Sequence, residues 1–76
     1  MMISSTYVAH VADAIERLSG TKITKVQDYD VTADFAGELL HDYPTVQSAV
    51  KSYDESKITQ TEFDRVVSTA VQLAGE

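Results

Sequence analysis

The sequence predicts an all-α domain, and three observations carry that reading. Apolar residues recur at three- and four-residue spacing in four separate stretches. Residues that favour helix ends stand at the borders of those stretches. Leu, Ile, Val and Phe make up 19 of 76 residues, enough for a core but a thin one. A chain this short forms one domain, and a domain near this size buries only ~60% of its unfolded surface. The expected architecture is a small bundle of four short helices, or five if the chain restarts in the middle. No linker or low-complexity tract divides it.

The first helix is expected from about Thr6 to Leu18. Val8, Val11, Ala12, Ile15 and Leu18 fall on one face. Ser4 or Ser5 is placed to accept hydrogen bonds at its start, and Gly20 to close its end in a left-handed conformation. A middle segment is marked by Phe35, Ala36, Leu39, Leu40 and Tyr43, and Pro44 must stop it near Asp42. Its beginning is open. Val26, Tyr29, Ala33, Ala36, Leu40 and Tyr43 would sustain one long helix from Lys25, whereas Thr32 could restart the chain as a new N-cap. A short helix follows from Pro44 or Thr45, with Val46, Ala49, Val50 and Tyr53 on its face.

The last helix has the most explicit start. Thr59-Gln60-Thr61-Glu62 is a capping box, in which the Thr59 hydroxyl serves the Glu62 N–H and the Glu62 carboxylate bonds back. Ile58 and Phe63 flank it as a hydrophobic staple. Phe63, Val66, Val67, Ala70, Val71 and Ala74 then line one face, and Gly75 ends it. Lys22-Ile23-Thr24-Lys25-Val26-Gln27 echoes Lys57-Ile58-Thr59-Gln60-Thr61-Glu62 at an offset of 35. The echo suggests two helix–loop–helix units packed face to face. Recurrence of a good cap is the preferred account, since capping chemistry alone explains three of the six positions.

The run Lys57-Ile58-Thr59-Gln60-Thr61-Glu62-Phe63 resembles the exit half of an EF-hand. That family's calcium loop takes oxygen ligands at its first, third and fifth positions and glycine at its sixth. Counted back from Glu62, those positions hold Lys51, Tyr53, Glu55 and Ser56. In the first unit they hold Glu16, Leu18, Gly20 and Thr21, with Gln27 at the end. A lysine in the first ligand position repels a divalent cation, so the resemblance implies a paired-helix scaffold without calcium.

Composition excludes several classes of function. There is no cysteine, hence no disulfide, thiolate metal site or cysteine nucleophile. The formal charge is −6. Nucleic-acid binding normally needs a basic patch, and the six basic residues form none, so direct binding to DNA, RNA or an anionic membrane is disfavoured. A helix-turn-helix nucleic-acid binder is the third-ranked reading for that reason. No apolar run approaches the ~20 residues of a membrane span. The first residues lack the basic region of a secretory signal, and a cytoplasmic location is expected. There is no Gly-rich phosphate loop and no marked nucleophile–base arrangement, so no enzymatic activity and no cofactor are expected. Glu38 and His41 have the spacing used in carboxylate-bridged metal bundles, but a second such motif is missing, since His10 is followed only by Asp13.

What remains is an acidic stripe. Asp30, Asp34, Glu38 and Asp42 recur every four residues, so on a helix they form a slowly drifting band beside the apolar face, with Asp28 added to it. Segment 21–43 holds five acids and two bases. Such a band is either a solvated face or a docking surface for a basic partner. Tyr29, Tyr43 and Tyr53 fall at the edges of apolar stripes, where a tyrosine either completes a small core or rims an interface. The sequence is therefore read as a small acidic interaction or regulatory module. It would dock on a protein with a basic surface, for instance a nucleic-acid-binding one, and could inhibit it by presenting carboxylates in place of phosphates. Its candidate contact residues are Asp28, Asp30, Asp34, Glu38, Asp42, Tyr29, Tyr43 and Tyr53. Short acidic chains of this kind suit phage-borne or mobile-element regulators. The alternative is a structural homo-oligomer, in the simplest case a homodimer, that completes its thin core with a second copy.

Overall fold

A computed structural model describes residues 4–20 and 24–75. Among the described residues four helices follow one another: α1 (Ser5–Ser19), α2 (Val26–Asp42), α3 (Pro44–Asp54) and α4 (Gln60–Ala74). No strand occurs among the described residues. The all-α expectation holds, with four helices rather than five. The radius of gyration, 11.4 Å, is that of a well-packed chain of this length.

Each helix supplies three buried residues to one core. They are Val11, Ala12 and Ala14 from α1, Ala36, Leu39 and Leu40 from α2, Val46, Ala49 and Val50 from α3, and Phe63, Val67 and Ala70 from α4. No helix can be removed without opening the centre. Tyr7, Val8, Ile15, Phe35, Tyr43, Tyr53, Ile58, Val66 and Val71 close the core from its edges. α1 packs most extensively on α2, and α4 packs on both α1 and α3. Burial of Ala14 is not marked by the α1 stripe. Leu18 and Ala74, which the stripes assign to the core, are exposed because the helix ends run past it.

The helix ends separate local chemistry that operates from chemistry that does not. At α4 the capping box forms in full. Thr59 Oγ1 accepts from the Glu62 N–H at 3.1 Å, and Glu62 Oε1 accepts from the Thr59 N–H at 3.2 Å. Ile58 packs against the cluster that contains Phe63. At α1, Ser4 is the N-cap but its side chain makes no capping bond, which corrects the expected serine cap. At α2 the N-cap is Lys25, one residue beyond Thr24, also without a side-chain bond. The echo thus fails structurally at its first copy: no box forms there, and Thr21, Lys22 and Ile23 lie outside the described residues.

The C-terminal ends also differ. Gly20 takes φ +72°, and its N–H returns to the Glu16 and Arg17 carbonyls. Gly75 ends α4 with an ordinary right-handed φ of −85°. α3 closes with a Schellman motif built on a serine. Ser56 adopts φ +59°, its N–H bonds the Tyr53 carbonyl at 3.0 Å, and the Lys57 N–H bonds the Ser52 carbonyl at 2.8 Å. α3 continues through Lys51 and Tyr53 to Asp54, so the segment that matches the start of a calcium loop is helix, not loop.

α2 is one continuous helix across Val31 and Thr32. Thr32 Oγ1 donates to the Asp28 carbonyl four residues back at 3.0 Å, a bond available only inside a helix. A single non-helical residue, Tyr43, joins α2 to α3. Its N–H bonds the Leu39 carbonyl at 3.0 Å, and its own carbonyl accepts from the N–H groups of Val46 and Gln47. The Gln47 side-chain amide bonds the Leu40 carbonyl and satisfies another open group at the end of α2. Pro44, with no N–H to place, opens α3.

Candidate functional site

Continuity of α2 puts Asp30, Asp34, Glu38 and Asp42 on one ridge of one helix. All four are exposed, as is Asp28. α2 contains no lysine or arginine, so the five carboxylates give the helix a charge of −5 before His41 is considered. Among the described residues, the carboxylates of Asp28, Asp30, Asp34 and Glu38 meet no ion-pair or hydrogen-bond partner. Asp42 alone is engaged, by His41 Nδ1 at 2.9 Å in the exposed last turn. Asp28 lies in the first turn, where the positive end of the helix dipole favours it. The three like-charged steps from residue 30 to 42 cost about 1 kcal/mol together, at a few tenths each.

The tyrosines do not share one environment. Tyr29 is exposed at the fourth position of α2. Tyr43 is half-buried at the α2–α3 corner and packs on the core. Tyr53 is engaged elsewhere. Its ring lies parallel to Phe63 with centroids 4.6 Å apart, and the His10 ring meets it edge-on at 5.1 Å. The structure therefore leaves Tyr29 exposed on the row of Val26, Ala33 and Ala36, away from Asp34 and Glu38, uses Tyr43 as a corner, and commits Tyr53 to packing between helices.

Two polar contacts fasten the side of the bundle formed by α1, α3 and α4. His10 Nε2 meets Asp54 Oδ1 at 2.9 Å. Arg17 makes a two-pronged pair with Asp64, Nε to Oδ2 at 3.0 Å and Nη2 to Oδ1 at 2.8 Å. That hydrogen bonding holds the Arg17 guanidinium above its ordinary pKa, against the opposing effect of partial burial. His10 thus pairs with an acid 44 residues away rather than with Asp13. Among the described residues no group of three or more His, Asp or Glu side chains converges as metal ligands would. No described helix is long and apolar enough to cross a membrane.

Sequence reading missed one feature of this surface. Val26 and Val31 are 78% and 70% exposed, although both belong to α2. The signal for Val31 was present: it falls off the stripe that leads to Ala36 and Leu40, on the same side as the acids. No protein-family model, curated protein or solved structure matches the chain.

Proposed function

We propose that the protein is a small, non-enzymatic interaction module that docks through the acidic ridge of α2 on a basic surface of another protein. One observation supports this reading above the others. A rigid helix presents a row of carboxylates, and four of the five have no partner within the described residues. Unpaired charges arrayed with helical regularity create a field that speeds encounter with an opposite surface and rejects like-charged ones. Surfaces built to bind nucleic-acid phosphates are basic in just this way, so a nucleic-acid-binding protein is the favoured partner class. Occupying its phosphate sites would make the module an inhibitor. A cytosolic regulator carried by a phage or mobile element fits the same description.

The test is capture by the tagged protein from an extract of its native host at low and at high salt, followed by binding to the purified partner. Wild type is expected to retain a basic protein at low salt and release it at high salt. Asp34→Lys with Glu38→Lys should keep the fold and lose the partner, since both side chains are exposed. Undiminished capture by that double variant removes the acidic ridge from the explanation. The homo-oligomer reading draws on the exposure of Leu18, Val26, Tyr29 and Val31. It requires a melting temperature that rises with protein concentration.

A further inference from the structure

The docking surface gains a second component from the way two ridges of α2 lie side by side. Val31, Phe35, Leu39 and Tyr43 are spaced four apart, as are the acids. Burial grades along this row: Val31 is 70% exposed, Phe35 is half-buried, Leu39 is 1% exposed, and Tyr43 packs on the core. Residues three apart on a helix are neighbours. Val31 therefore borders Asp34, Phe35 borders Glu38, and Leu39 borders Asp42. On its other side Val31 borders Asp28, also three residues away. Val26 heads the acidic row itself, four residues before Asp30. The first two turns of α2 thus interleave bare apolar side chains with unpaired carboxylates, and the apolar row runs on from there into the core.

We infer that Val31, with the half-buried Phe35 one turn on, is the apolar anchor of the α2 surface, and that its occupant is a cationic amphipathic helix of a partner protein. The inference rests on the proposed function and names the chemistry of the partner element. A helix with lysines or arginines beside leucines, at three- and four-residue spacing, matches both ridges at once. Charge argues against a second copy as the occupant: α2 laid on α2 would set five carboxylates against five, with no lysine or arginine on either helix.

The probe is a synthetic helical peptide of roughly 18 residues carrying lysines and leucines in that pattern, beside a control of equal charge with glutamine for leucine. Binding is measured by titration calorimetry at ~150 mM salt with wild type, Val31→Ser, Val31→Leu and the Asp34→Lys/Glu38→Lys variant. Wild type should prefer the leucine peptide by about tenfold, the worth of burying one such side chain. Val31→Ser should lose most of that preference while binding the control as wild type does, and Val31→Leu should keep it. Serine and valine have similar helix propensity and the position is exposed, so melting should not change. Full preference in Val31→Ser overturns the anchor and leaves the acidic-ridge reading standing. Unchanged binding of both peptides by the charge variant overturns both. A dimer of the free protein that Val31→Ser dissolves assigns this face to self-association and overturns the inference.

Discussion

α4 and α2 are of similar length and both are amphipathic, yet they begin in opposite ways. α4 starts on a complete capping box, carries Phe63 at its fourth position, and enters the core within its first turn. α2 starts on Lys25 with no side-chain cap, and a cation there opposes the helix dipole. Its first wholly buried residue is Ala36, ten positions after Val26. One helix is anchored at its start by local chemistry. The other is anchored from its far end by the core and by the Tyr43 corner. The lesson is that stability and surface display are divided between the two: the helix that secures the fold shows little, and the helix that shows most is secured late.

The contrast can be broken most directly at Phe63. Phe63→Ala removes the largest fully buried side chain and its stack with Tyr53, at a cost of about 3–5 kcal/mol. Urea unfolding should show a transition at much lower denaturant or none. Thr59→Ala should cost ~1 kcal/mol, whereas Ser4→Ala, at a cap that makes no bond, should fall within about 0.5 kcal/mol of wild type. Equal losses in the two variants would mean that the box adds nothing beyond propensity. Lys25→Asp should instead stabilise, by about 0.5–1 kcal/mol in thermal melts, because it gives α2 both an acceptor and a favourable charge. Ser56→Gly should add a few tenths to ~1 kcal/mol by removing the cost of a left-handed serine, partly offset by a more disordered unfolded chain. Smallest of all, Val31→Ser should leave unfolding within about 0.5 kcal/mol of wild type.

What the sequence made legible follows the same division. The four helices and the box at Thr59 were readable because their determinants lie within a few residues of each other. The stop at Pro44 was readable for the same reason. The course of residues 25–43 was not, because Thr32 is equally able to cap a new helix or to bond back within an existing one. The structure shows the second: Thr32 bonds back to the Asp28 carbonyl within one continuous helix. Tyr53 read as a candidate rim residue because its stack on Phe63 and its edge contact with His10 join three helices. The pairing of Arg17 with Asp64 spans 47 residues and has no local sign. The acidic ridge was legible as spacing. The exposure of Val26 was not, since an apolar residue on a stripe is assigned to the core until the core is seen to end.

The single-residue joint at Tyr43 has a kinetic consequence. With its N–H and carbonyl both bonded and Pro44 fixing the next turn, it leaves no slack between α2 and α3. A visitor arriving at α2 would find no joint at its Tyr43 end to straighten or swing aside. Collision frequency and ionic strength would then govern how fast a complex forms, and the fit of its apolar contacts how long it lasts.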